Sequence, residues 1–207
     1  MTSCHIIHIG TLSMNRFWGE TERVREPSAT CTLIVAGGQR LLVDPSPHPD
    51  ALERALADRT GLRPADIDLV YLTHFHGDHR FGLSLFEDRP LLMAEAGIAE
   101  WIGRSPGDAE LAGRFCPAED RLPAGVGLLH TPGHTRHHCS LRLQTPQCIV
   151  VVAGDAVMTR DFFAANEGFH NSVDPVQASE TIAMIRATAD MVIPGHDNLI
   201  LAKEAIP

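Results

Sequence analysis

His74-Phe75-His76-Gly77-Asp78-His79 is the stretch that decides both the fold and the chemistry of this sequence. Four of its six side chains are imidazoles or carboxylates, the nitrogen and oxygen donors that zinc, iron and manganese accept. The stretch directly follows an apolar run, so residues 69–73 are predicted to form a short buried strand. Donors this close in sequence reach one pocket only if the backbone curls around it, and Gly77 would permit such a turn.

Three more donors occur later in the chain, in sequences typical of turns. His134 and His196 each end a Pro-Gly-His sequence, and Asp155 ends a Gly-Asp sequence. Each follows a strand-like segment, so all seven donors lie near the ends of predicted strands. A single histidine is most often a surface or core residue, but seven donors in this arrangement are enough for two metal ions. The joint pattern therefore predicts a metal site.

Strand and helix patterns alternate along the chain. Strands are predicted over residues 31–36, 40–43, 69–73, 91–94, 126–131, 139–143, 149–153 and 191–194, with Gly37-Gly38 closing a hairpin between the first two. Helices are predicted over residues 50–60 and 95–102, and a third begins at Asp174-Pro175, an N-cap followed by proline at the first helical position. Residues 105–123 mix glycine, proline and charge and are predicted to be irregular. Helices packed outside one or two sheets would satisfy this pattern.

The composition is that of a soluble globular protein. The chain has 207 residues, of which 44% are hydrophobic and 21% charged, and this length is most simply one domain. The net charge is −9, and the single lysine, Lys203, lies near the C-terminus while the arginines are scattered. An acidic chain with no basic run argues against an extended nucleic-acid surface, because neutralising phosphates dominates that kind of affinity.

The cysteines and the apolar runs indicate a cytoplasmic protein with no membrane association. The five cysteines are odd in number and form no C-x-x-C pair, as expected for buried thiols in a reducing compartment. The first residues do not follow the pattern of a secretory signal. The longest apolar run, residues 148–153, is far too short to span a bilayer.

The seven donors, in their order and spacing, resemble the metallo-β-lactamase superfamily over nearly the whole chain. The resemblance implies an α+β fold, a four-layer αββα sandwich formed by residues 1–207 as a single domain, with the metal site at one edge between the two sheets. It also implies how the ligands divide: one metal held by His74, His76 and His134, a second held by Asp78, His79 and His196, and Asp155 bridging the two. Asp44 stands where the family has its first acidic motif and would orient a ligand histidine.

Such a site implies a metal-dependent hydrolase. Two divalent ions roughly 3.5–4 Å apart can share a water and lower its pKa toward neutrality, which makes hydroxide available at physiological pH. The metal-bound hydroxide would attack a small ester, thioester, lactone or related bond, while Asp78 and Asp155 orient the nucleophile or pass its proton. Zinc is the first expectation for the ions, with manganese or iron as alternatives, and the partner is a small-molecule substrate.

Two further sets of residues border the predicted site. Phe163, Phe169 and His170 follow Asp155 in the chain and are the candidate residues of a substrate pocket, with packing of the phenylalanines in the core as the alternative. His137 and His138 come soon after His134; we expect one of them to face solvent and the other to pack beside the pocket.

The superfamily hosts many reactions, so the fold alone does not choose among them. The only tyrosine, Tyr71, is expected to be buried, which weakens a lactonase assignment because lactonases of this superfamily commonly place a tyrosine over the metals. The lack of a lysine near the site weakens a β-lactamase assignment. The sequence looks most like the short hydrolases of the superfamily, among them the metallo-β-lactamase-domain-containing proteins of uncharacterised substrate.

Two other functions stay open. Residues 76–83 are similar to the equivalent stretch of ribonuclease Z, which would make the chain a phosphodiesterase or ribonuclease. Persulfide dioxygenases also resemble the pattern, but they are oxidoreductases that use a single iron at the ligands of the first metal. Arg80 and Phe81 depart from the small residues usual after the hexapeptide in the hydrolase branch, and the pattern assigns them no role.

Overall fold

The computed structural model describes residues 2–203 of the chain as eleven strands and five α-helices. The strands are β1 (Ser3–His8), β2 (Cys31–Ala36), β3 (Gln39–Val43), β4 (Leu69–Tyr71), β5 (Leu91–Met93), β6 (Phe115–Pro117), β7 (Val126–His130), β8 (Cys139–Gln144), β9 (Ile149–Gly154), β10 (Met191–Pro194) and β11 (Ile200–Leu201). The helices are α1 (Pro49–Thr60), α2 (Glu95–Arg104), α3 (Ala109–Ala112), α4 (Arg160–Ala165) and α5 (Pro175–Thr188). None of these helices is both long enough and apolar enough to cross a lipid bilayer.

The strands form two mixed sheets. The first has the order β1-β2-β3-β4-β5-β6, with antiparallel pairing from β1 to β3 and parallel pairing from β3 to β6. The second has the order β11-β10-β9-β8-β7, in which only β9 and β10 are parallel. Each sheet therefore contains at least one pair of neighbouring parallel strands, and the C-terminal ends of such a pair lie at the same edge of the sheet.

Three apolar clusters show how the layers stack. One cluster joins α1 and α2 to the outer face of the first sheet through residues such as Leu52, Trp101 and Val70. A second, which includes Tyr71 and Val152, fills the space between the two sheets. A third joins α5 to the outer face of the second sheet. The order helix, sheet, sheet, helix is the expected four-layer αββα sandwich, and this prediction is confirmed.

Most elements begin and end where the sequence predicts. Gly37 and Gly38 close the β2–β3 hairpin with positive φ angles of 58° and 82°. Helix α1 starts one residue earlier than predicted and ends at Gly61, whose N–H donates to the carbonyl of Ala57. Only Leu52 and Leu56 of this helix are buried, so its apolar face is narrower than the sequence suggests.

The irregular structure predicted for residues 105–123 is wrong. This segment contains α3 and also β6, which extends the first sheet by pairing with β5, Leu91 lying opposite Phe115. A strand of three residues is too short for an alternating pattern to be visible in the sequence. It is a strand because a neighbouring edge offers it hydrogen bonds, which is a tertiary effect.

The parallel strands bring the predicted site residues to one edge. β3 and β4 end side by side, so Asp44 and His74 follow them at the same edge of the first sheet. β9 and β10 end side by side in the second sheet, so Asp155 and His196 follow them there. The carboxylates and imidazoles of the two sheets therefore face one another across the edge of the sandwich.

The start of α5 holds the turn that carries His134. The side chain of Asp174 accepts hydrogen bonds from the N–H groups of Val176 and Gln177 at 3.1 and 3.0 Å, as predicted for an N-cap. The N–H of Asp174 donates to the carbonyl of Gly133 at 3.0 Å, and the hydroxyl of Thr181 donates to the carbonyl of Pro132 at 2.7 Å. The cap thus stabilises α5 and also positions the loop leading to His134.

We predict that Asp174→Ala lowers the free energy of unfolding by about 1 kcal/mol, because two N–H groups at the start of α5 lose their acceptor. Urea denaturation followed by circular dichroism measures this change. Asp58→Ala, which removes an exposed carboxylate from inside α1, is the matched control and should change stability by less than about 0.5 kcal/mol. Equal effects of the two substitutions would contradict the capping role.

Candidate metal centre

The hexapeptide turns sharply after β4. Residues Gly77–His79 form one turn of 3-10 helix, and the N–H of His79 donates to the carbonyl of His76 at 3.3 Å. This turn points His74 and His79 inward, where both are fully buried, and leaves His76 and Asp78 partly exposed. The turn does not require the conformational freedom of Gly77, because a Cβ added there would meet nothing within 4 Å.

The seven predicted donors come together in two adjoining groups. The first consists of His74, His76, His134 and Asp155, each offering one atom within 4.8 Å of the others. In this group Nδ1 of His76 lies 2.9 Å from Nε2 of His74 and 3.0 Å from Nε2 of His134. Oδ2 of Asp155 lies 3.2 Å from Nε2 of His134 and 3.7 Å from Nε2 of His74.

The second group consists of Asp78, His79 and His196. Nε2 of His196 lies 3.7 Å from Oδ2 of Asp78. The other carboxylate oxygen of Asp155, Oδ1, lies 3.1 Å from Nε2 of His79 and 3.2 Å from Nε2 of His196. The two oxygens of Asp155 therefore face different groups, Oδ2 the first and Oδ1 the second.

Unpaired buried atoms at this place fit a divalent metal ion. Nε2 of His79 and Oδ1 of Asp155, which lie 3.1 Å apart, are buried and have no satisfactory hydrogen bond among residues 2–203. Burying polar atoms without partners costs free energy, so their concentration where seven donors meet needs a ligand to offset it. Imidazole nitrogens with carboxylate oxygens are a donor set that zinc, iron and manganese accept.

The charges in the cluster polarise one another. Burial alone would raise the pKa of Asp155, but His196, His79 and His134 outweigh it and hold that pKa well below its usual value. Burial would lower the pKa of His79, but Asp155 and Asp44 outweigh it and raise the pKa well above 6.5. For His134, burial prevails and lowers the pKa to about 3. The pKa of His196 is also raised, so protons bound to the cluster concentrate on His79 and His196.

Asp44 holds His79 from behind. Its Oδ2 lies 2.9 Å from Nδ1 of His79, so that nitrogen can donate while Nε2 stays directed at the site. Asp44 also accepts from the N–H and the hydroxyl of Thr73, both at 2.9 Å. The Thr73 hydroxyl lies 3.2 Å from Nδ1 of His74, so the same hydrogen-bond chain reaches a second imidazole. Asp44 has a φ of 49°, an unusual angle for a residue other than glycine, which the surrounding bonds must stabilise.

The backbone fixes the imidazoles that come from the second sheet. Nδ1 of His196 donates to the carbonyl of Ser28 at 2.9 Å. Gly195 lets this segment approach Asp155 closely, since a Cβ there would lie 2.1 Å from Oδ1 of that residue. Gly133 has a φ of 130° and its added Cβ would lie 2.4 Å from the backbone nitrogen of Ala178, so only glycine fits before His134.

His138 and His137 divide as expected. His137 is exposed, while His138 is completely buried, with its ring centroid 5.1 Å from that of His74. Nδ1 of His138 lies 2.8 Å from the hydroxyl of Thr131, which also accepts from the N–H of Ser140. His138 thus belongs to a buried polar network behind the donor cluster.

Arg80 and Phe81 acquire roles that the sequence pattern does not assign. The guanidinium of Arg80 donates to the carbonyl of Phe75 at 3.1 Å and to Asp108 at 2.7 Å, and it lies over the ring of Trp101. Arg80 therefore ties the hexapeptide backbone to the helical layer. Phe81 lines the cavity described next.

A cavity of about 280 Å³ opens onto the donor cluster. Its walls contain five of the predicted donors, residues of the loop between β1 and β2, and residues that follow Asp155: Leu12, Ser13, Arg23, Pro27, His76, Gly77, Asp78, Phe81, His134, Asp155, Met158, Phe169, Asn171 and His196. The loop residues show no motif or periodicity in the sequence. Only the folded chain brings them to the site.

The candidate pocket residues are placed differently from one another. Phe169 lines the cavity. Phe163 instead lies buried in the core beneath α5, with the guanidinium of Arg186 4.2 Å from its ring centroid. His170 is exposed and packs on Phe169, with ring centroids 4.3 Å apart, but it is not among the residues that line the cavity.

Comparison with known proteins agrees with this arrangement. The profile of the Metallo-beta-lactamase superfamily matches residues 24–196. The chain belongs to the metallo-beta-lactamase superfamily. It is 32% identical over 197 residues to metallo-beta-lactamase domain-containing protein 1 of Rattus norvegicus, an alignment that covers 90% of this chain and 74% of the relative.

Lactonases are also among the similar proteins. The chain is 27% identical over 153 residues to the N-acyl homoserine lactonase AiiA of Bacillus thuringiensis subsp. kurstaki, covering 67% of this chain and 59% of that one. The solved structure of AidC, a dizinc quorum-quenching lactonase, superposes with a TM-score of 0.71 at 15% identity, covering 86% of this chain and 76% of AidC. At that identity the superposition shows the shared fold.

We predict that Asp44→Asn lowers the affinity for Zn²⁺ by about 10- to 100-fold, because His79 loses the charged acceptor that orients it. Competition with a chromophoric chelator measures the affinity, and circular dichroism verifies the fold. Asp120→Asn removes an exposed carboxylate and is the control. An unchanged affinity in the Asp44 variant would rule out its role in positioning His79.

Zinc binding should weaken as the pH falls. Asp155 raises the pKa of both His79 and His196 against the lowering effect of burial, so both keep protons at higher pH than free histidine. A metal must displace these protons, and lowering the pH through the raised pKa values opposes binding. Titration calorimetry of the apoprotein in two buffers of different ionisation enthalpy should detect proton release. Binding that is independent of pH between about pH 6 and 8 would contradict this prediction.

Proposed function

We propose that this chain is a dinuclear metal-dependent hydrolase, with zinc as the first candidate for the metal, that cleaves an ester, thioester, lactone or related bond in a small molecule. His74, His76 and His134 would hold one ion, and Asp78, His79 and His196 the other. Asp155 would bridge them. The observation that carries the proposal is the carboxylate of Asp155, whose two oxygens each face a different donor group.

The residues of the site would have different roles in the reaction. When bound, a pair of divalent ions supplies Lewis acidity and lowers the pKa of water. The side chain of Asp78 is 20% exposed and borders the cavity, so its carboxylate can orient the attacking water and accept a proton from it. The fully buried His74 and His79 exclude solvent from the rear of the site.

The cavity favours a small substrate over nucleic acid. A volume of about 280 Å³ accommodates a small molecule, and apolar side chains such as Leu12, Met158 and Phe169 form part of its wall. By their names, the lactonases among the similar proteins act on small molecules, which supports a small-molecule substrate for this chain. Tyr71 is buried and its hydroxyl donates to the carbonyl of Cys139 at 2.9 Å, so a lactonase using a tyrosine above the metals would need another residue.

Metal content and hydrolysis together test the proposal. Protein purified without added metal should contain about two zinc or manganese ions per chain by elemental analysis. It should hydrolyse members of a panel of 4-nitrophenyl esters, lactones and thioesters, and a strong chelator should abolish this activity. About one iron per chain, with little zinc, would instead favour the mononuclear oxidoreductase, and activity confined to bis-4-nitrophenyl phosphate would favour the phosphodiesterase.

We predict that His76→Ala lowers metal-dependent hydrolysis by more than about 100-fold, because the first donor group loses the imidazole that contacts its two other imidazoles. His137→Ala removes an exposed imidazole from the same region and is the matched control, with activity expected to stay near that of the unsubstituted protein. Full activity in the His76 variant would sink the proposed mechanism.

A further inference from the structure

Arg23 is the only arginine or lysine among the described residues that line the cavity. Its side chain is exposed, and within residues 2–203 no carboxylate lies at ion-pair distance and no hydrogen bond holds the guanidinium. An arginine with free donors beside a candidate catalytic centre can bind an anionic group of a substrate.

The other arginines of the same loop have structural partners. Arg25 pairs with Glu20 and donates to the carbonyl of Leu12 at 2.9 Å. Arg16 pairs with Glu167. These two residues stabilise the loop between β1 and β2. Within residues 2–203, Arg23 is the arginine of this loop whose guanidinium has no hydrogen-bond or ion-pair partner.

Two of the three acidic residues of this loop, Glu20 and Glu26, contact other groups, and the third, Glu22, forms no ion pair with Arg23 within residues 2–203. Glu20 also accepts a hydrogen bond from the N–H of Asn15 at 2.7 Å, in addition to its pair with Arg25. The carboxylate of Glu26 lies 3.6 Å from Nε2 of His48. Among the described residues, therefore, no carboxylate of the loop forms an ion pair with Arg23.

The backbone beside Arg23 is held in place. The N–H of Val24 donates to the carbonyl of Ser13 at 2.9 Å, which joins the two arms of the loop. The indole N–H of Trp18 donates to Asp161 at 3.0 Å and ties the loop to α4. These bonds hold the backbone that carries Arg23 in the cavity wall, while its side chain stays free to turn toward a ligand.

We propose that Arg23 binds a carboxylate on the part of the substrate that is not cleaved, so that the enzyme prefers small substrates bearing an acidic group remote from the scissile bond. This inference rests on the proposed function of the same site. A guanidinium presents paired N–H groups that match a carboxylate in a bidentate arrangement. The scissile bond would lie at Asp78 and Asp155, the carboxylate at Arg23, and the connecting chain against Leu12 and Phe169.

Matched esters test this selectivity. The 4-nitrophenyl monoesters of succinate, glutarate and adipate carry a terminal carboxylate, and the 4-nitrophenyl esters of butyrate, pentanoate and hexanoate have the same chain lengths with a terminal methyl. For at least one length, kcat/KM of the unsubstituted protein should favour the acidic ester. Arg23→Gln should lower that preference by about 10-fold or more, while Arg23→Lys keeps part of it.

A binding measurement gives a readout that does not depend on turnover. Titration calorimetry with zinc-loaded protein compares glutarate with pentanoate, which differ only in the second carboxylate. Glutarate should bind about 10-fold more tightly, and Arg23→Gln should remove the difference. Arg54→Gln, which removes an exposed arginine of α1 outside the cavity, is the control for net charge.

The outcomes separate this inference from the proposed function. Metal-dependent hydrolysis with the same acid-to-neutral ratio in the Arg23→Gln variant would overturn the role of Arg23 and leave the hydrolase standing. Absence of metal-dependent hydrolysis for every ester, with glutarate still held through Arg23, would overturn the hydrolase and keep the anion site. An equal loss in the Arg54 variant would show a general charge effect and would also overturn the inference.

Discussion

The carboxylate of Asp155 is the interaction on which the rest of the site depends. It is 6% exposed and lies between 3.1 and 3.7 Å from four imidazoles, which come from three separate parts of the chain. A buried carboxylate is costly unless opposite charge or a metal compensates it. Here the surrounding imidazoles hold its pKa low, so the cluster and the negative charge sustain each other.

The strand pairing of the two sheets brings the carboxylates and imidazoles of the site together. Parallel pairing of β3 with β4 and of β9 with β10 sends two chain segments from each sheet to one edge. The apolar layer between the sheets, with Tyr71 donating across it to the carbonyl of Cys139, fixes their separation. Nδ1 of His79 donates to the carboxylate of Asp44 and Nδ1 of His196 donates to the carbonyl of Ser28, so Nε2 of each imidazole faces the cluster. Core packing therefore sets the position of the donors, and the polar contacts behind them set their orientation.

The loop between β1 and β2 contributes residues to the wall of the cavity at the site. It supplies part of the cavity wall through Leu12, Arg23 and other residues. Its bonds to Asp161 join that wall to α4, the helix that follows Asp155 in the chain. The superfamily shares the fold and hosts many reactions, so we expect the residues of the cavity wall, and not the fold, to select the substrate.

How far the site could be predicted differs from residue to residue. The hexapeptide and the Pro-Gly-His sequences predict metal ligands because the ligand side chains and the residues that form their turns are adjacent in the sequence. Phe169 was placed beside the site by its closeness to Asp155, but the same reasoning included Phe163, which the core beneath α5 takes up. The sequence does not reveal β6, because this strand forms by hydrogen bonding to β5. It does not reveal the position of Arg23 either, because no local pattern marks a residue that lines a cavity formed by distant parts of the chain.

The sequence by itself determined the donor types and most strand and helix positions, since these depend on local spacing and periodicity, and its resemblance to the superfamily implied the α+β sandwich. Only the tertiary structure decided which oxygen of Asp155 faces which donor group, that Arg80 ties the hexapeptide to the helical layer, and that Arg23 lines the cavity. These contacts join residues far apart in the chain. Their geometry follows from how the layers pack, and no short stretch of sequence contains that information.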